Sequence, residues 1–409
     1  MRIIVQKYGG TSVATAEGRK IVARRVQQAV RDGYAVVVVV SAMGRQGEPY
    51  ATDTLIQLAN TASTELAPRE MDLLLSCGEI ISSVVLAGVL KSAGLPATVL
   101  TGGQAGIQTD DHYGSAHILK VEPAPVLERL RQGLVVVVPG FQGVTRAGDV
   151  TTLGRGGSDT TAAALGGALQ AEVVEIYTDV DGVKTADPRL VPGARTLSVT
   201  TYDEIAQMAH YGAKVVHPRA VEIAMQRRVP LRVRSTFEDG MGTLITYSLE
   251  AAGTSWSELF IDGPVTGVTH VTGLAQVTIH TNEAERSIPV FRSLASAGIS
   301  VDLINVSPEA KRFCMEERRV QQAETILRQM GLEPAIRTGC AKVSVVGSGM
   351  RGRPGVMATV AEALSAAGVA ILQTADSHVT ISCLVEAAQL QVAVQALHDA
   401  FGLSDKEKV

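Results

Sequence analysis

Lys7-Tyr8-Gly9-Gly10-Thr11-Ser12-Val13 sets a lysine and two glycines directly after a short apolar strand, Ile3 to Gln6. Glycines let a backbone come close to a phosphate and turn its N–H groups toward it. A lysine beside them supplies positive charge where a phosphoryl group in transfer carries negative charge. The order is not that of a P-loop, G-x-x-x-x-G-K-[ST]. A tight turn would account for the glycines, but packing gives little reason for a lysine at the strand's carboxyl end. Gly154-Arg155-Gly156-Gly157-Ser158-Asp159 is more pointed still, because it opens a stretch rich in small residues, Thr160 to Leu165, that reads as a helix start. Unpaired N–H groups and partial positive charge at a helix start favour an anion there. Arg155 can grip a carboxylate with two parallel bonds. An N-cap role for Ser158 or Asp159 explains one residue, not an arginine among three glycines.

Other segments are more ambiguous alone. Thr178-Asp179-Val180-Asp181-Gly182-Val183-Lys184-Thr185-Ala186-Asp187-Pro188-Arg189 follows a strand, and its acidic and turn residues suit either a nucleotide with its Mg²⁺ or a surface turn. Gly212-Ala213-Lys214-Val215 offers a second lysine near a turn. Ser76-Cys77-Gly78-Glu79 puts a carboxylate at what reads as a helix start, where a solvated first-turn Glu is the commoner case. Gly347-Ser348-Gly349-Met350-Arg351-Gly352 matches G-x-G-x-x-G, yet only about 60 residues follow it, too few for a doubly wound dinucleotide domain. His210, His217, His270 and His378 are unpaired in sequence and are expected to be structural or at the surface. Cys77, Cys314, Cys340 and Cys383 form no C-x-x-C pair, which argues against zinc and suits a reducing compartment.

The elements needed to hold these residues are legible as alternating periods. Apolar strands at Ile3 to Gln6, Ala35 to Val40, Thr98 to Leu100, Val135 to Val138 and Val173 to Tyr177 alternate with helical stretches, among them Glu17 to Arg31 and Glu79 to Ser92. Strands buried on both faces and separated by helices indicate an α/β fold with an open, largely parallel sheet covered by helices. Such sheets bind ligands beyond the carboxyl ends of their strands, where the glycine-rich segments fall. Turn chemistry from Glu238 to Pro264 marks a boundary. Beyond it Phe291 to Ile299 resembles Ala361 to Val369 at an offset of roughly 70 residues, each a helix end, a glycine and a strand. That is a repeated β-α-β-β-α-β unit of ferredoxin-like plan. The expected division is a catalytic domain over 1–245 and two modules over 264–338 and 339–409. A net charge of -4 gives no sign of nucleic-acid binding, and the apolar run Val36 to Val40 is too short to span a bilayer. With no signal-peptide pattern at Met1 to Val5, the expected location is the cytoplasm.

Together, Lys7 to Ser12, Gly154 to Asp159 and Thr178 to Arg189 occur in the order and approximate spacing of aspartate kinases, members of the amino-acid-kinase fold. Ser41-Ala42-Met43, Thr52-Asp53, Ser76 to Glu79 and Gly212 to Val215 also resemble that family, and the resemblance covers essentially the whole chain. It implies a kinase that phosphorylates the side-chain carboxylate of L-aspartate from ATP. By position, Lys7 would stabilise the phosphoryl group in flight and Asp159 would organise the reacting groups and hold Lys7. Arg155 would clamp the α-carboxylate and Glu79 pair with the ammonium, with Ser41, Thr52, Gly156, Gly157 and Ser158 completing the pocket. The nucleotide would meet Lys7, Tyr8, Gly9, Gly10, Thr178, Asp179, Lys184, Arg189, Lys214 and Val215, and Mg²⁺ would be carried by the nucleotide. Lys184 departs from the aromatic residue many relatives carry there. The resemblance also implies two ACT modules that bind a feedback inhibitor and pair between subunits in a homodimer or larger assembly. Val301 to Ser307 and Leu372 to His378 resemble effector segments, with Asp302, Asn305, Met350, Gly355, Val356, Gln373 and Asp376 as candidate contacts. The combination resembles the diaminopimelate-sensitive monofunctional enzymes more than the lysine-plus-threonine-inhibited ones, which implies diaminopimelate as effector, with lysine and threonine the other candidates. A kinase of the same fold with another acceptor, or an amino-acid sensor without activity, are the competing expectations.

Overall fold

The computed structural model describes residues 1–62, 65–210, 216–247, 263–280, 287–350 and 352–404. Among them, 1–183, 196–209 and 216–247 gather into one compact unit, and 184–195 with 263–404 into another. The second unit therefore takes in a segment from within the expected catalytic stretch, which no linear cut of the sequence would assign.

In the first unit the strands are β1 (Arg2–Tyr8), β2 (Tyr34–Val40), β3 (Ala97–Val99), β4 (Ile107–Thr109), β5 (Ile118–Val121), β6 (Val135–Pro139), β7 (Gln142–Val144), β8 (Val150–Thr152), β9 (Val173–Thr178), β10 (Val199–Thr201), β11 (Leu231–Ser235) and β12 (Thr243–Thr246). The helices are α1 (Gly10–Ala14), α2 (Ala16–Arg31), α3 (Thr52–Ala62), α4 (Pro68–Ser92), α5 (Ala124–Arg131), α6 (Gly157–Leu169), α7 (Tyr202–His210) and α8 (Pro218–Arg227). Eight strands form a sheet in the order β10-β12-β11-β9-β1-β2-β6-β3, parallel except where β12 runs against β11. The valine run of β2 is wholly buried from Val36 to Val40, as a strand covered on both faces requires. Tyr8 pairs in register with Val40 on one side and Tyr177 on the other, so the carboxyl ends of β1, β2 and β9 share one edge of the sheet. Helix α2 starts where Thr15 Oγ1 accepts from Gly18 N at 3.0 Å and packs Val22, Val26 and Ala29 onto the sheet.

Two features differ from the sequence reading. The smaller sheet β5-β4-β7-β8 was not anticipated, because its strands are only three or four residues long. The helix expected from Glu79 begins instead at Pro68 and runs for 25 residues, with proline in its first turn. Gly78 looked like a helix boundary but lies inside it. A Cβ there would meet Tyr50 O at 2.9 Å and Ala42 Cβ at 3.0 Å, so the glycine serves close packing. Helix α4 is also long and apolar enough to cross a membrane by length and composition. Half of its most apolar stretch is buried inside the protein, and it carries Asp72 and Glu79 among its buried residues, which marks it as a core helix.

The second unit holds β13 (Gly267–His280), α9 (Ser287–Ser296), β14 (Asp302–Val306), β15 (Ala310–Glu316), α10 (Val320–Gln329), β16 (Pro334–Val346), α11 (Val356–Ala366), β17 (Gln373–Asp376), β18 (Thr380–Glu386) and α12 (Leu390–Ala400). Its six strands are ordered β14-β15-β13-β16-β18-β17. The two βαββαβ modules follow each other along the chain as expected, with one exchange. Leu274 to Ile279 of β13 pairs with Pro334 to Cys340 of β16, closing the first module, while Gly267 to Val271 pairs with Lys342 to Val346. The fourth strand of the second module thus comes from the start of β13, ahead of the first module. Segment 184–195 joins the core of this second module, burying Ala186 and Val191 with Val268, Leu397 and Leu403.

Candidate active site

Lys7 reaches the site because β1 ends one residue later, at the shared edge of parallel carboxyl ends. Its Nζ lies 2.7 Å from Oδ1 of Asp159, in the first turn of α6, and both side chains are mostly buried. The approach falls outside hydrogen-bond geometry, so the pair is held by charge and Oδ1 keeps its acceptor capacity. Gly9 N donates to Tyr177 O at 3.3 Å, which closes the turn after β1 onto β9. At Gly10 a Cβ would stand 2.7 Å from Ala42 O and 2.8 Å from Gly44 O, so only glycine fits against that loop. Tyr8 points to the opposite face, stacked on Tyr177 with ring centroids 4.7 Å apart, and is fully buried. Its side chain therefore belongs to the core, and only its backbone stands at the glycine turn.

Helix α6 is entered through Gly156, whose φ of 69° is left-handed and whose Cβ would sit 2.1 Å from the His217 ring. The turn leaves Arg155 exposed, with no hydrogen bond or ion pair to any described residue. Gly157 and Ser158 are buried at the helix start. A guanidinium held at the mouth of a glycine turn without a protein partner is available to a carboxylate.

Glu79 is the residue whose importance the sequence understated. It sits mid-helix in α4, about 2% exposed. Its Oε1 accepts from Ala42 N at 3.1 Å, and its Oε2 has no hydrogen-bond partner. Burial pushes its carboxyl up to about 8, against a smaller opposing pull from the Ala42 N–H. A buried carboxylate oxygen with nothing to bond is a place for a cationic partner. Ala42 belongs to Ser41-Ala42-Met43, directly after β2, and Ser41 N donates to Tyr8 O at 3.1 Å. The Glu79 carboxylate is therefore tied by backbone to the Lys7 strand. Thr52 opens α3 and is half-buried.

The remaining expected contacts are distributed. Thr178 ends β9, and its Oγ1 donates to Asp179 Oδ1 at 3.2 Å. Asp179 accepts from Arg45 Nη2 at 2.8 Å, a cation at the strand edge that sequence reading missed. Lys184 and Arg189 lie in segment 184–195 and so belong to the second unit. Arg189 is exposed there, bonded to Asp187 at 2.7 Å, which holds the Asp187 carboxyl below its usual range. Lys214 and Val215 lie outside the described residues. Among the described residues, no group of three His, Cys, Asp or Glu could hold a metal ion.

In the second unit, Asp302 and Asp376 line one cavity of about 270 Å³. Asp302 is ion-paired with buried Lys342, and Gln373 Nε2 donates to Leu303 O while its Oε1 accepts from Gln276 at 2.8 Å. Asn305 is exposed on β14. Met350 and Val356 are packed in the core of the second module, and Gly355 caps α11 with φ 97°.

The signature of the amino acid kinase family matches residues 2–235, and an ACT domain signature matches 335–399. Aspartokinase 1 of Bacillus subtilis (strain 168) is 48% identical over 408 residues, covering 99% of this chain and all of that protein. The aspartokinase of Mycolicibacterium smegmatis is 42% identical over 423 residues, covering this whole chain and 98% of its own. Among solved structures, E. coli aspartokinase III in complex with aspartate and ADP superposes with a TM-score of 0.74 at 25% identity, over 98% of this chain and 99% of that one. Likeness of this degree runs from one end of the molecule to the other and takes in the strand of Lys7, the turn of Arg155 and the helix of Glu79, so the chain belongs to the aspartokinase family.

Proposed function

We propose that this protein transfers the γ-phosphoryl group of ATP to the side-chain carboxylate of L-aspartate, giving 4-phospho-L-aspartate and ADP. The observation that carries the reading is the Lys7–Asp159 pair together with two open recognition groups, the Arg155 guanidinium four residues before Asp159 and Glu79 Oε2, whose carboxylate is tied through Ala42 and Ser41 to the Lys7 strand. These match the α-carboxylate and the ammonium of an amino acid. The attacking group is already a carboxylate, so no general base is required. The bond from the γ-phosphorus to the ADP oxygen breaks as a bond to the aspartate oxygen forms. Catalysis then rests on positioning and on neutralising charge. Asp159 keeps the Lys7 ammonium extended toward the γ-phosphate, and Gly9 and Gly10 admit the phosphates to the backbone. Mg²⁺ fits as a passenger of the nucleotide, since it keeps phosphate oxygens and waters as ligands and needs few from protein. It would add positive charge at the phosphates.

Aspartate with ADP in the E. coli structure supports the substrate pair, and the lysine-bound T-state form of that enzyme supports amino-acid feedback, which the ACT match over 335–399 assigns to the second unit in this reading. The effector is read as diaminopimelate, lysine or threonine, acting on a cytoplasmic homodimer or larger assembly. An assay with each, singly and in pairs, separates them. For the chemistry, Lys7→Ala should lower kcat by about a thousandfold with little change in KM for aspartate. Near-normal turnover in a folded Lys7→Ala protein would sink the assignment.

A further inference from the structure

Helix α4 carries a second buried carboxylate that the chemistry above does not use. Asp72 is fully buried, seven residues before Glu79, which places both on one face of the helix about 10 Å apart along its axis. Among the described residues it has no ion-pair partner. Instead it accepts from Gly114 N at 3.0 and 2.9 Å through its two oxygens, from Thr152 N at 2.7 Å and from Thr152 Oγ1 at 2.7 Å. Bonds from N–H and O–H groups to a carboxylate are shorter and stiffer than neutral ones.

Both residues it holds lead to Arg155. Thr152 ends β8, three residues before the arginine. Gly114 stands against the turn itself, where a Cβ on Gly154 would meet Gly114 O at 3.3 Å and Ser115 Oγ at 3.4 Å. Arg219 also bridges the same two segments of chain, donating to Leu153 O at 3.1 Å and Ala116 O at 2.8 Å.

We propose that Asp72 is a positioning residue for substrate recognition. Through Gly114 and Thr152 it fixes the Arg155 turn to the helix that carries Glu79, so that α4 sets the spacing between the two groups that grip the amino-acid head of the substrate. This rests on the reading of Arg155 and Glu79 as the carboxylate and ammonium contacts. A guanidinium displaced by an ångström loses its bidentate geometry, and such displacements can cost about 100-fold.

The test is a mutant cycle on the full chain, reading kcat and the KM for aspartate and for ATP. Asp72→Ala should raise KM for aspartate at least about tenfold and move KM for ATP less than about twofold. Asp72→Asn, which keeps an acceptor for the Gly114 and Thr152 N–H groups, should recover most of that loss. In an Arg155→Ala background, Asp72→Ala should add less than about twofold, because its effect runs through the arginine. Full additivity there, or an equal rise in both KM values, would overturn the proposal in favour of a general structural role. If Asp72→Ala does not fold, Thr152→Val removes the hydroxyl bond alone and takes its place in the cycle, where additivity or an equal rise in both KM values again overturns the proposal. An Arg155→Ala protein with unchanged KM for aspartate would overturn the site reading itself, a result distinct from additivity.

Discussion

Aspartate binding should strengthen as pH rises from about 6 to 9, and Glu79→Gln should abolish that dependence. The Glu79 carboxyl is held near 8 because burial penalises its charged form, while its second oxygen has no partner. With a pKa of about 8, roughly one protein in eleven carries the charge at pH 7, and about nine in ten at pH 9. If the ammonium binds only the ionised form, KM for aspartate should fall about tenfold between those values, with about one proton released per substrate bound at pH 7 and about a tenth of one at pH 9. Glu79→Gln should give a flat profile, with KM at pH 9 raised by about 10- to 100-fold for loss of a charge-assisted contact. Stability should move the other way. The folded pKa is raised above the unfolded value, so the contribution is fully present below about 4.5 and is lost as pH rises through about 8. Between pH 6 and 8 that amounts to about 2–3 kcal/mol, at roughly 1.4 kcal/mol per unit. The unliganded melting temperature should fall across this range, and saturating aspartate should offset the fall. Initial rates and thermal melts on both proteins suffice. A flat wild-type KM, or an unchanged slope in Glu79→Gln, would refute the reasoning.

Three further outcomes are expected. Removing residues from Gly263 onward should abolish amino-acid inhibition. It should also lower stability, since Val191 and Ala186 would lose the core they share with Leu397 and Leu403; retained inhibition would contradict the regulatory reading. His398 is fully buried with Nε2 2.9 Å from Thr185 Oγ1, and burial lowers its pKa below 6.5. Its folded pKa is depressed, so the protein should lose stability as pH falls below about 6.5, and His398→Gln should flatten that loss in calorimetry. Gly10→Ala should raise KM for ATP at least about tenfold, because a Cβ there is opposed by two backbone oxygens that can yield only if the Ala42–Gly44 loop moves.

How far the sequence carried the reading depended on whether a signal was local. Lys7, its glycines and Arg155 stand out because charge and conformational freedom are properties of a few adjacent residues. Glu79 did not, because its meaning comes from its burial, its bond from Ala42 N and a missing second partner, none of which is visible along the chain. The Gly78 beside it actively misled, since a glycine that admits Tyr50 looks the same in sequence as one that ends a helix. Asp72 carried no local pattern, because its partners lie 42 and 80 residues away. The repeated modules were legible from their periodicity. The destination of segment 184–195 was not, since Ala186 and Val191 are too short a pattern to name the core they enter.

The strand exchange in the second unit sets where this chain can be cut. Lys342 to Val346 has β18 on one side and Gly267 to Val271 on the other. A regulatory fragment begun after Val271 would keep every helix of both modules and still present Val343, Val345 and Val346 on a bare sheet edge. Such an edge is a template for pairing between copies, so that fragment should aggregate more readily than one begun before Gly267, although both lack the cover that Ala186 and Val191 give the second module. The same exchange makes the dependence one-sided: the first module closes on its own strands, whereas the second is completed only by a strand that precedes the first in the chain.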